Sequence, residues 1–273
     1  MNQVNWRNKN IFYKVQGTGQ AVMLLHGFAE NGKVWDHQVS ELSKHFKIIV
    51  PDLPGSGSSE FVNEDLSIPD YAEAMMEVAQ AEINTERETF TMIGHSMGGY
   101  IALAYADKYV DLLNGLGLFH STSFADAGEK KETRKKAINS ISEKGKSDYL
   151  KTSLPNLFSI QTRNHFSEMT DTLIELGEET NQEALTQYQR AMMNRQDMRE
   201  VLQKLEIPIL FVQGIHDTAV PLTEGLKQVH MPAICHFHLL QDSAHMGMWE
   251  EKEKSAKILF KYLEALNKSD NNL

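Results

Sequence analysis

The 273-residue chain has one cysteine, Cys235, so it cannot close an internal disulfide. Residues 1–10 lack the apolar centre of a secretory signal, and with the lone thiol this predicts a cytoplasmic location. Long apolar runs are missing too: none nears the roughly 20 residues that cross a bilayer, so no membrane span is expected. Basic charge is in deficit. Lys and Arg number 27 against 37 Asp and Glu, a formal net charge of −10, which argues against nucleic acid or an anionic membrane face as partner. The densest cationic stretch, Lys130-Lys131-Glu132-Thr133-Arg134-Lys135-Lys136, is interrupted by glutamate and carries no interleaved aromatics, so it reads as a solvated helix face. Metal-ligand spacings are absent as well: the histidines form no His-x-x-x-His or His-Glu-x-x-His pattern and Cys235 has no cysteine neighbour. No metal or cofactor is therefore expected.

What the chain does contain is a series of short apolar runs separated by helix-forming stretches. A hairpin over residues 4–15, turning at Asn8-Lys9-Asn10, precedes strand-like runs near 21–25, 47–51, 90–94, 114–120, 207–213 and 234–240. Strands alternating with helices predict an α/β fold with a mostly parallel sheet covered on both faces. With 41% hydrophobic residues the chain can build one core, burying roughly 75% of its unfolded surface at this length.

One of these runs ends in Gly94-His95-Ser96-Met97-Gly98, followed by the helix-forming Tyr100-Ile101-Ala102-Leu103-Ala104. The Gly-x-Ser-x-Gly pattern suits a turn too sharp for larger neighbours, leaving the Ser96 hydroxyl exposed at its tip. A nucleotide-binding loop is excluded here, because the segment has neither the lysine nor the spacing of one. A serine hydroxyl is a weak nucleophile alone and needs a base and a carboxylate. His245 follows the run at 234–240, and Asp217 follows the run at 207–213. Asp126, just past the run at 114–120, is a rival acid. His26 and His95 read as structural neighbours of motifs, and His120, His216 and His238 have no assigned role.

These features together resemble the α/β-hydrolase family over nearly the whole chain. The order Ser96, Asp217, His245 matches its nucleophile, acid, histidine order. His26-Gly27-Phe28, the loop Asp52-Leu53-Pro54-Gly55-Ser56-Gly57-Ser58-Ser59, the spacing from Asp217 to Pro221, and His245 followed by Trp249-Glu250 extend the match. Ser56 departs from it, since relatives often carry a bulkier residue between the two glycines. The resemblance implies an eight-stranded sheet and a serine hydrolase acting through an acyl-enzyme on a small ester, thioester or lactone with an apolar acyl part. Carbon–carbon bond hydrolysis and cofactor-free perhydrolysis use the same triad, and a non-catalytic ligand-binding member of the fold is a further alternative. The backbone N–H groups of Phe28 and Met97 are the expected oxyanion donors.

Between residues 121 and 204 the strand signals stop. The expected division is a core of residues 1–121 and 205–273 with a helical cap over 122–204. Asn181 is placed to cap a helix carrying Leu185, Tyr188 and Met192 on one face, and Asp197 another carrying Met198, Val201 and Leu202. Phe124, Phe158, Phe166, Met192 and Met193 are candidates for an apolar pocket under the cap, with Val220 and Met246 beside the acid and the histidine.

Overall fold

The β-branched and apolar runs form strands. The computed structural model describes residues 1–270. In it β1 (Asn2–Trp6), β2 (Lys9–Gln16), β3 (Ala21–Leu25), β4 (Lys47–Pro51), β5 (Phe90–His95), β6 (Leu113–Phe119), β7 (Ile209–Gly214) and β8 (Cys235–Leu240) make one sheet. Its order is β1-β2-β4-β3-β5-β6-β7-β8. β2 runs antiparallel to both neighbours, and from β4 to β8 every pairing is parallel. Each residue of β3, β5 and β7 is buried, which is why these strands read as continuous apolar runs rather than alternating ones. Alternation survives in three dimensions: Val22 and Leu24 enter one core cluster, Met23 and Leu25 the other.

The opening hairpin turns one residue earlier than its sequence suggests. Trp6 pairs with Lys9, and Arg7 and Asn8 form the turn with φ of 51° and 60°. Two consecutive left-handed residues give the turn whose twist matches that of the flanking strands.

Helices α1 (Asp36–Leu42), α2 (Ile68–Glu82) and α3 (Met97–Tyr109) follow β3, β4 and β5. Six more separate β6 from β7: α4 (Gly128–Lys144), α5 (Lys146–Ser153), α6 (Ile160–His165), α7 (Ser167–Glu178), α8 (Gln182–Asn194) and α9 (Arg199–Lys204). After β7 come α10 (Leu222–Leu226) and, after β8, α11 (Gly247–Glu250) and α12 (Lys252–Asp270). Helix α2 packs on α3, and α1 on α12. The Asn181 side chain accepts from the Ala184 N–H at 3.1 Å, capping α8, whose Leu185, Tyr188 and Met192 are all buried. Asp197 accepts from the Arg199 N–H at 3.0 Å, but Met198 occupies the cap position, so α9 starts a residue later than the pattern suggests. No helix of the described residues is long and apolar enough to cross a membrane.

Candidate active site

Ser96 stands between β5 and α3 with φ 50° and ψ −113°, a conformation that strains any residue with a side chain. Its surroundings enforce it. Ser96 N–H donates to the Phe119 carbonyl at 3.0 Å, and Ser121 Oγ donates to the Ser96 carbonyl at 2.7 Å. A Cβ at Gly94 would lie 2.1 Å from the Gly98 backbone, and one at Gly98 would lie 2.7 Å from the Leu25 and His26 carbonyl oxygens. Both glycines are therefore dictated by strand and helix meeting at van der Waals distance. Met97 opens α3, so its N–H lies outside the intrahelical ladder.

The exit loops of β7 and β8 bring Asp217 and His245 together. His245 Nδ1 donates to Asp217 Oδ2 at 2.8 Å. Asp217 Oδ1 accepts from the Ala219 and Val220 N–H groups at 2.9 and 2.8 Å. Burial pushes the Asp217 carboxyl upward, but the His245 and His120 imidazoles outweigh it and hold the group well below the usual carboxylate range. Asp217 accepts from His245 Nδ1 and so fixes the tautomer in which Nε2 is the acceptor.

The loop after β3 is fixed by two further histidines. His26 Nε2 accepts the Leu53 N–H at 2.9 Å, so its Nδ1 carries the proton and donates to the Gly27 carbonyl at 2.8 Å. His95 Nε2 donates to the His245 carbonyl at 2.9 Å while its Nδ1 lies 3.0 Å from Glu30 Oε2. Burial lowers the His95 pKa, yet the Glu30 carboxylate and the His245 carbonyl together raise it, giving a fully buried ion pair. Glu30 Oε2 also accepts the Gly27 N–H at 2.7 Å. This pair ties the Gly27-Phe28 loop to the serine turn and to the His245 loop. Asp52 orders the neighbouring loop, accepting from Gly32 and Ser58 N–H at 2.8 and 2.9 Å.

Ser96 and His245 line a cavity of about 520 Å³, with Phe28, Tyr149, Leu157, Met192 and Val220 among its apolar walls. Comparison with known proteins bears on the fold that carries this site. A family model described as alpha/beta hydrolase fold matches residues 20–138. A thermophilic esterase from Thermogutta terrifontis superposes with a TM-score of 0.91 at 25% identity, covering 97% of this chain and 99% of its own. The chain has the α/β-hydrolase fold. The pimeloyl-[acyl-carrier protein] methyl ester esterase of Vibrio cholerae is 24% identical over 258 residues, 92% of this chain and 97% of its own. An enol-lactonase from Burkholderia xenovorans shares the fold with a TM-score of 0.88 at 19% identity, covering 96% of this chain and 100% of its own.

Several α/β-hydrolase positions sit differently from their sequence reading. Met192 and Val220 line the cavity, but Phe124, Phe158, Phe166, Met193 and Met246 do not. Phe158 is buried with its ring 6.2 Å from that of Trp249, and Met246 is fully buried in the core. Phe166 is 50% exposed, and Phe124 lies under the Arg199 guanidinium. Asp126 is remote from His245 in its bonding: it pairs with Arg134 and, at 2.7 Å, with Arg195. Ser56 is no mere filler, since its hydroxyl meets Tyr188 Oη at 2.9 Å and so links the loop after β4 to α8.

Sequence reasoning left His120 and Glu30 without roles. His120 is buried one residue past β6, with Nδ1 3.0 Å from Asp217 Oδ2. Its position at a strand exit, like those of Asp217 and His245, was the available signal. The Gly214 N–H also lies 3.3 Å from this nitrogen, but a carboxylate is the stronger partner, so Nδ1 carries the proton. Burial pushes the His120 pKa down to about 4, so the ring is neutral, and its buried Nε2 has no hydrogen-bond partner among the described residues. The ligating atoms of His120, Asp217 and His245 fall within 4.8 Å of one another. At 2.8 and 3.0 Å the two Nδ1 atoms both donate to Asp217 Oδ2, so the three side chains form one hydrogen-bonded cluster.

Proposed function

We propose that the protein is a serine hydrolase that cleaves a small ester, thioester or lactone with an apolar acyl part. The observation that carries this reading is one cavity lined by a conformationally strained Ser96 and by His245, whose Nδ1 is bonded to a buried, ionised Asp217. Ser96 Oγ attacks the carbonyl carbon as His245 Nε2 takes its proton. The N–H groups of Phe28 and Met97 stabilise the oxyanion, each worth about 100-fold to 1,000-fold in rate. His245 returns the proton to the leaving alcohol or thiol as the C–O or C–S bond breaks. Water, deprotonated by the same imidazole, then attacks the acyl-enzyme, and the proton passes back to Ser96 as the acid departs. Residues 122–204 act as a cap in this reading, since α4, α5 and α8 contribute cavity walls over Ser96. The lone Cys235 supports a cytoplasmic setting.

A fluorophosphonate probe tests the assignment. It is expected to label Ser96 in the native protein and to leave Ser96→Ala unlabelled, with turnover of short p-nitrophenyl esters lost in parallel. Absence of both labelling and ester turnover in the native protein would refute it.

A further inference from the structure

The helix face read from sequence as solvated forms one wall of the cavity that holds Ser96 and His245. Along α4, Lys130, Thr133, Arg134 and Ala137 recur at i, i+3, i+4 and i+7 and line that cavity, together with Lys136. Lys131, Glu132 and Lys135 face water, with Lys135 paired to Glu132 at 2.7 Å. The stretch thus divides between two faces: Lys130 and Arg134 are half-buried against the cavity, whereas Thr133 and Lys136 reach its exposed rim.

The inner face is not charge-balanced. Against Lys130, Arg134 and Lys136 the cavity lining offers a single acid, Glu30, whose carboxylate is bonded to His95 and the Gly27 N–H. Arg134 and Arg195 share one buried carboxylate, Asp126, so that cluster keeps one positive charge. Lys130 is half-buried, and its ammonium donates to the Ala219 carbonyl at 3.0 Å without forming an ion pair among the described residues. Ala219 lies two residues past Asp217, so this cation is anchored beside the loop that carries the acid. Tyr100, buried in the same cavity wall, registers the field: burial raises its hydroxyl pKa, but Arg195, Lys130 and Arg134 outweigh burial and lower it. A positive pocket in a chain of net charge −10 is a local feature opposed to the average.

We propose that this wall selects substrates bearing an anionic group, a carboxylate or a phosphate, at the end remote from the reacting carbonyl. Lys130 is the principal contact, and Phe28, Leu157, Met192 and Val220 hold the apolar segment between the two ends. The proposal rests on the reading of Ser96 as nucleophile.

Methyl esters of equal length ending in methyl, carboxylate or phosphate test it. One charge-assisted contact predicts about tenfold or greater preference in kcat/KM for an anionic ester over the neutral one, carried mainly by KM. Lys130→Gln should remove most of that ratio, Lys131→Gln on the outer face should preserve it, and high salt should erode it in the native enzyme. Carboxylate preference and phosphate preference each support the proposal and identify the group. Equal turnover of all three esters overturns it while leaving the hydrolase reading standing. If no ester is turned over and the fluorophosphonate leaves Ser96 unlabelled, that reading falls instead; in either case binding of the same esters to Ser96→Ala by calorimetry still decides: tighter binding of the charged ester that is lost with Lys130→Gln supports the wall, and equal binding overturns it.

Discussion

His120 and His245 donate to the same oxygen, Oδ2 of Asp217, at 3.0 and 2.8 Å. The carboxylate that orients the proposed base is thus itself held from the side by a neutral, fully buried imidazole. Its other oxygen is fixed by two backbone N–H groups of its own loop.

His120→Ala should therefore lower kcat about tenfold with little change in KM, because a bond to a charged acceptor, worth about 1.5–3 kcal/mol, no longer restrains Asp217. His120 also predicts an acid sensitivity. Its pKa is about 4 when folded against 6.5 in the open chain, so only the unfolded state takes up a proton between those values. Its contribution is fully present above pH 6.5 and is lost as pH falls toward 4. Denaturant titrations across that window should show a flatter acid limb in His120→Asn, and an unchanged limb would contradict the buried neutral ring.

Strain at Ser96 gives a stability prediction of the opposite sign. Glycine tolerates φ 50° and ψ −113°, so Ser96→Gly should be more stable than the native protein by about 1 kcal/mol and inactive. Ser96→Ala keeps the Cβ and should be inactive without that gain. Equilibrium unfolding of the two variants side by side separates backbone strain from loss of the hydroxyl.

The Glu30–His95 pair has a defined pH window. His95 is raised above 6.5, so its share of stability is complete below that value and is lost as pH rises through the folded pKa. Glu30 is lowered from 4.5: burial alone would raise it, but His95 outweighs burial, so its share is complete above 4.5 and is lost as pH falls through the folded pKa. Glu30→Gln leaves a buried imidazole without its counterion and should cost about 3 kcal/mol. The gap between native and variant should be widest between pH 4.5 and 6.5 and narrow on either side.

Two carboxylates compete for the role of acid, and their partners predict unequal effects. Asp217→Asn should reduce kcat by roughly 1,000-fold to 10,000-fold, because the amide no longer enforces the His245 tautomer. Asp126→Asn should instead weaken the anchoring of Arg134 and Arg195 and change kcat less than tenfold. Comparable losses in both variants would remove the distinction.

The strand runs and the glycines at 94 and 98 were legible because they report local requirements. A fully buried strand needs continuous apolar residues, and a tight strand-to-helix turn needs absent side chains. Ser96 and Asp217 stood out for the same reason, each following such a strand, whereas His245 follows the half-exposed β8 and stood out by its place in the family order. The walls were not. Phe158 and Phe166 have the composition of a pocket, yet one packs against Trp249 and the other faces water. Lys130 and Lys131 are adjacent and chemically identical, and only the packing of α4 turns the first toward Ser96 and the second toward solvent. Amino-acid order alone therefore determined the fold and singled out Ser96, Asp217 and His245 as the residues of the proposed triad, because backbone geometry and burial are encoded locally. The sign of the cavity, the second histidine on Asp217 and the ion pair beneath the Phe28 loop were decided by tertiary structure, because each joins residues from separate elements whose meeting no spacing in the chain announces.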